Sequence, residues 1–220
     1  MAFGLTAPEN LIAVSIETTG LNPVRDGITE VGAVRFDYEG KLFDTFRERT
    51  NPGVPVPEHV TRLTGIRDEM LEGARPPEEV VRDLFAWAGP GAWFAAHSGE
   101  FEAAFLLATG GPPEDDDSLM LSTLEWARSA GLDVPNHRLG TLMDLIGFEI
   151  RVRPMHSTLV GAQAVADVFR FLLKWCYREP THEGVKDMLF FRTDRMHALA
   201  RRVAMRYDRS RVYAKPSSSR

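Results

Sequence analysis

The chain has 220 residues, 44% of them apolar and 26% charged, which suits one well-buried α/β domain plus a tail rather than two full domains. No apolar stretch approaches the roughly 20 residues that cross a bilayer, and the opening MAFGLTAPEN lacks the basic segment and apolar run of a signal peptide. Residues 181–220 hold ten Lys/Arg and four Asp/Glu, a net +6, whereas residues 1–180 carry a net −11, so the body does not attract phosphates through its overall field.

In chain order, LIAVSI at 11–16 is a short β-branched run that predicts a buried strand. ITEVGAVRF at 28–36 and KLFDTFRER at 41–49 predict two more, joined by a hairpin turn at Tyr38-Glu39-Gly40. The prolines of NPGVPVPEHV, residues 51–60, predict a loop. Pro77 to Trp87 reads as an amphipathic helix, with Val80, Leu84 and Trp87 on one face. AWFAA at 92–96 predicts a buried strand and Glu100 to Leu107 a helix. GGPPEDDD at 110–117 reads as a solvated turn. Helices are expected at about 118–130, 138–146 and 158–175, and another from Val185 to Asp208.

Three separated segments carry chemistry together: Ser15-Ile16-Glu17-Thr18-Thr19-Gly20-Leu21 at the end of the first strand, His97-Ser98-Gly99-Glu100-Phe101-Glu102 after AWFAA, and His156 five residues before Gly161. With ITEVGAV, PVPEHVTRLTGIRDEM (holding Thr64-Gly65-Ile66) and Asp117-Ser118-Leu119, they give a chain that resembles the DEDDh exonucleases, the DnaQ-like family of the proofreading epsilon subunit, over about residues 10–175. The resemblance implies an RNase H-like α/β fold: a five-stranded mixed sheet, its first three strands antiparallel, flanked by helices. It also implies 3′–5′ hydrolysis of phosphodiester bonds by two Mg²⁺ or Mn²⁺ ions. Four carboxylates hold the ions, which are hard cations, and a histidine takes the proton of the attacking water.

Against the family pattern only Glu17 and His156 match outright. Ser15 stands where the first Asp belongs, Glu102 replaces the second Asp with one methylene more, and Gly161 replaces the last Asp with no side chain. Disturbing even the groups that orient metal ligands costs about 10–100-fold in metal affinity or activity; losing two of four carboxylates should cost more. On a helix, Gly161 shares its face with Val165, Val168 and Leu172, while Gln163 and Asp167 point elsewhere, so no neighbour replaces the lost ligand. By resemblance Thr18, Thr19 and Leu21 contact the terminal nucleotide, though they equally suit closing a strand end, and His97 holds a structural position.

The expected organisation is an exonuclease-fold domain over 1–178 and a basic C-terminal helical extension and tail over 179–220. In that extension Arg192, Arg195, Arg202, Arg206 and Arg209 form a stripe at helical spacing, either a solvated face or a phosphate-binding or partner-docking surface. The leading functional reading is a pseudo-exonuclease with no tightly bound cofactor, kept to bind single-stranded DNA or RNA ends or as a subunit beside a polymerase-like or other protein. An active exonuclease using Glu17, Glu102, His156 and Mg²⁺ or Mn²⁺, and a pure protein-interaction module, stay open. Homodimerisation is open as well. The single cysteine, Cys176, permits no internal disulfide, and the expected location is the cytoplasm, away from membranes.

Overall fold

The structure is a computed structural model. It describes residues 11–37, 39–112, 116, 118–152, 157–178 and 190–192, and of these the side chains of 176–178 and 190–192 are outside the description. Strands β1 (Leu11–Thr18), β2 (Ile28–Phe36) and β3 (Leu42–Arg49) form an antiparallel meander. Next come helices α1 (Glu58–Thr64) and α2 (Pro77–Ala88), strand β4 (Trp93–Ala96) and helix α3 (Gly99–Ala108). Strand β5 (Leu119–Ser122) and helices α4 (Thr123–Ser129), α5 (Leu139–Ile146) and α6 (Thr158–Arg178) complete the body, and β6 (Phe190–Arg192) follows. The sheet order is β3-β2-β1-β4-β5-β6, with β4 parallel to β1 and β5 parallel to β4. This is the RNase H-like mixed sheet of five strands flanked by helices, with one short strand added at its edge.

Strand alternation divides the core into two layers. Leu11 and Ala13 of β1, with Val34 and Phe36 of β2, pack against Trp126, Leu142, Val165, Phe169 and Leu172 of α4, α5 and α6. Ile12, Val14 and Ile16, on the opposite face, pack against Val80, Val81, Leu84 and Phe85 of α2 and Phe105 and Leu106 of α3. Among the described residues no helix is long and apolar enough to cross a membrane.

Three expectations need correction. Residues 118–130 are not one helix: Leu119–Ser122 pair with β4 as β5, and α4 begins only at Thr123, where the Ser122 hydroxyl accepts the Glu125 amide. A four-residue apolar run between turn residues carries no period that separates strand from helix, and pairing with β4 decides. The proline loop ends sooner than expected, since α1 starts at Glu58 directly after Pro57, whose φ of −62° already suits a helix entry. The stretch read as a helix from Val185 to Asp208 contains β6, in which Phe190 and Phe191 pair antiparallel with Leu121 and Met120. Two adjacent phenylalanines favour a strand, and their addition covers the β5 edge. The flanking residues, with Arg195, Arg202, Arg206 and Arg209, lie outside the described residues; Arg192 is placed in β6, opposite Leu119.

Candidate active site

Because β1 and β4 are parallel, they end at the same edge of the sheet, and α3 starts there after β4. Open α/β sheets hold ligands at such carboxyl ends. Ser15 and Glu17 follow Leu11 and Ala13 at period two, so they lie on the face covered by α6. Across the β1–β2 ladder Ser15 stands opposite Gly32 and Glu17 opposite Glu30.

The two lost ligand positions meet each other. A Cβ placed on Gly161 would lie 2.7 Å from the Ser15 hydroxyl oxygen and 3.1 Å from its Cβ, inside ordinary van der Waals contact. One turn earlier, a Cβ on Gly32 would lie 2.6 Å from the Thr158 carbonyl carbon. Helix α6 therefore rests directly on β1 and β2; at 32 a Cβ would meet backbone, and at 161 it would press on the Ser15 side chain.

Glu30 fixes the start of that helix. Its carboxylate accepts the Thr158 amide at 3.0 Å and the Thr158 hydroxyl at 2.9 Å, and it pairs with Arg47 at 2.6 Å and Arg49 at 3.1 Å. A carboxylate at a helix N-terminus is favoured by the helix dipole. Burial alone would raise its pKa, but the Thr158 amide, Arg47 and the Thr158 hydroxyl outweigh burial and hold it below the ordinary value. Glu17 has no such support among the described residues: burial first, and the Glu30 charge second, push it up to about 7. Glu102, in the first turns of α3, is 8% exposed, and its Oε2 has no hydrogen-bond partner among the described residues. Burial pushes this carboxyl up to about 8 against a small opposing effect of its own backbone amide. Glu100 is exposed.

The residues at the strand end are engaged locally. The Thr18 hydroxyl donates to the Gly20 carbonyl at 2.5 Å, and the Thr19 hydroxyl accepts the Gly27 amide at 3.0 Å, closing the β1–β2 connection. Leu21 projects 69% exposed beside them. His97 shares its Nδ1 with the Thr123 hydroxyl at 3.1 Å and bonds the backbone of His137; burial, chiefly, holds its pKa below the usual imidazole value. Gln163 and Asp167 are spent elsewhere, Gln163 on the Glu149 carbonyl and Asp167 on Arg151 at 2.5 Å. His156 lies outside the described residues.

A two-ion centre needs several anionic oxygens converging on one point. Among the described residues no three Asp, Glu, His or Cys side chains are grouped to hold an ion. With Ser15 and Gly161 in contact, Glu17 and Glu102 are the carboxylates left at family positions, and this donor set does not fit a two-ion centre. Sequence reasoning missed Glu30 as part of the site. Its place beside Arg47 and Arg49 follows from the β2–β3 hairpin, but its place opposite Glu17 depends on how residues 19–27 return the chain from β1 to β2.

The sheet order, with the first motif at the end of β1, Gly161 of α6 against Ser15 and α3 starting after the parallel strand β4, defines an RNase H-like exonuclease-type domain. The RNase T exonuclease family model matches residues 13–169. Among curated proteins, the PolC-type DNA polymerase III of Caldanaerobacter subterraneus subsp. tengcongensis is 33% identical over 164 residues, 74% of this chain and 11% of that protein. The Bacillus subtilis PolC-type DNA polymerase III is 32% identical over 176 residues, 79% of this chain and 12% of that protein. The chain thus spans about a tenth of the length of these relatives. Among solved structures, Exonuclease X in complex with 5′ overhanging duplex DNA superposes with a TM-score of 0.61 at 16% identity, covering 86% of this chain and 99% of that one. Escherichia coli Exonuclease I in complex with a dT13 oligonucleotide gives 0.63 at 15% identity, covering 76% and 42%. These two show the fold. The chain belongs to the DEDDh-type, DnaQ-like 3′–5′ exonuclease family.

Proposed function

We propose that this protein is a pseudo-exonuclease: an exonuclease-family domain with little or no hydrolytic activity that binds single-stranded nucleic-acid 3′ ends. The observation that carries this reading is the close approach of Ser15 and Gly161, two of the family's four ligand positions, where neither residue offers a carboxylate and a side chain at 161 would press on Ser15. End binding is supported by Leu21, an exposed apolar side chain beside Thr18 and Thr19 at the family's nucleotide-contacting positions, and by fold relatives that carry DNA. If hydrolysis persists, Glu17 and Glu102 are the groups that would hold Mg²⁺ or Mn²⁺, with His156 as base. Glu102, buried with an unpartnered oxygen, is the feature that favours that second reading.

A 5′-labelled single strand incubated with the protein and Mg²⁺ or Mn²⁺ separates the two. The proposal expects an unchanged ladder, together with strand binding that weakens steeply with salt as counterions are released. Loss of 3′-terminal nucleotides that Glu17→Ala abolishes would overturn it, as would absent or salt-independent binding.

A further inference from the structure

A cleft of about 400 Å³ opens beside His97, between the end of α4 and the start of α5, where Ser98, Leu124, Arg128, Asn136, His137, Arg138 and Leu139 line it. Among the described residues no carboxylate lines it. Arg128 comes from the last turn of α4, whereas Asn136 to Arg138 form the approach to α5 and Arg138 occupies the N-cap position. The Asn136 side-chain oxygen accepts the Arg138 amide at 3.0 Å and the Thr141 hydroxyl at 2.8 Å, which fixes the loop and leaves the Asn136 amide nitrogen as a donor. Helix α5 has no side-chain cap, so the amides of its first turn have no side-chain acceptor among the described residues, and the helix starts at Arg138 and Leu139, which line the cleft. The Arg138 guanidinium has no ion-pair partner among the described residues; Arg128 pairs only with Glu125 one turn back, and both of those side chains are about half exposed. Such an exposed pair is weak enough for a phosphate to replace. His137 lines the same cleft, and its Nε2 is shielded from solvent without a partner among the described residues.

We propose that this cleft binds a phosphate group, Arg128 and Arg138 supplying the charge and Asn136 and the first-turn amides of α5 the directed hydrogen bonds. Guanidinium forks, an amide donor and an uncapped helix start are the set that recognises a phosphate. Its source is the backbone of a bound strand or a free nucleotide. The strand form rests on the end-binding reading above, and gives it positive charge that does not depend on bound metal ions, within a body of net −11 over residues 1–180.

The test uses the full chain and three titrations: 5′-fluorescein-labelled dT12 by anisotropy over a salt series, and dTMP and inorganic phosphate by calorimetry. Arg128→Gln/Arg138→Gln is compared with Arg82→Gln, an exposed arginine on α2 away from the cleft, and circular dichroism melts confirm that each variant folds. The double variant is expected to lose about tenfold or more in affinity for the strand, for dTMP or for both. If the strand is the source, its salt slope also falls by about 1.4, for two phosphates neutralised on a single strand. Strand affinity, strand salt slope and dTMP affinity all equal to those of Arg82→Gln would overturn the cleft while leaving end binding in place. Wild-type protein that ignores dT12 but binds dTMP through these arginines would overturn end binding and keep the phosphate site. Wild-type protein that binds none of the three probes would overturn both.

Discussion

Glu102→Gln should make the protein more stable, and by an amount that depends on pH in a defined way. The carboxyl is buried, one of its oxygens has no partner among the described residues, and its pKa is raised from 4.5 to about 8. The folded chain therefore keeps a proton that the unfolded chain gives up above pH 4.5. Between pH 4.5 and about 8 the folded state binds more protons, so Glu102 lowers stability as pH rises, by about 1.4 kcal/mol per unit. Over the full window the ceiling is about 5 kcal/mol. Local relaxation and water entry reduce such penalties, so a gain of about 2–3 kcal/mol at pH 8 is expected, or about 4–12 °C in Tm for a chain of this size. At pH 4.5 and below both proteins carry a neutral group and should melt alike. Glu17, also raised, tilts both curves in the same direction up to about pH 7 and cancels in the difference. Thermal melts in EDTA from pH 4.5 to 8.5 measure this directly. A difference that stays constant with pH, or a variant that loses stability at pH 8, would refute the account of Glu102 as an unsupported buried acid.

Three further outcomes follow from the packing around α6. Gly32→Ala places a Cβ against the Thr158 backbone and should cost about 1–3 kcal/mol in urea unfolding; a neutral result would mean that α6 does not rest on β2 as described. Glu30→Gln leaves Arg47 short of its buried partner and should cost about 2–4 kcal/mol near pH 7. Because the Glu30 pKa is lowered, its contribution is present above pH 4.5 and fades as pH falls through the folded value, so the two acid-unfolding curves should converge at low pH. Adding about 1 mM MnCl₂ should move the wild-type Tm by less than about 1 °C; a rise of about 5 °C or more would reveal tight ion binding and contradict the donor-set argument.

Much of this arrangement is written in local pattern. The β-branched run LIAVSI, the two strands around Gly40 and the apolar face of α2 announce their elements by period, and the three motif segments announce the family. What period does not reveal is anything decided by a distant partner. Leu119–Ser122 becomes a strand only because β4 lies alongside, and Phe190–Arg192 only because β5 then needs an edge covered. That Gly161 lacks a ligand is legible from its letter; that it touches Ser15 is not, because the contact depends on how closely α6 lies on β1. The Arg128–Arg138 cleft is hidden for the same reason, since its charges arrive from two helices across a loop. Glu30 is an intermediate case: the β2–β3 hairpin brings it beside Arg47 and Arg49, but its place opposite Glu17 depends on the β1–β2 register.

The residues left at the centre divide into those with structural work and those without. Thr18 and Thr19 close the β1–β2 connection, His97 ties β4 to α4 and to the loop before α5, and Glu30 caps α6. Each therefore has structural work whether or not the protein hydrolyses anything. Glu17 and Glu102 are different, because both are held above their ordinary pKa and cost stability near neutral pH. Packing does not account for them, so they are either remnants or ligands still in use. If Glu102→Gln stabilises the chain and leaves strand affinity untouched with and without Mn²⁺, Glu102 is a remnant. Strand affinity that responds to Mn²⁺ in the wild type and not in the variant would make it a ligand still in use, and would place an ion beside β1 despite the contact between Ser15 and Gly161.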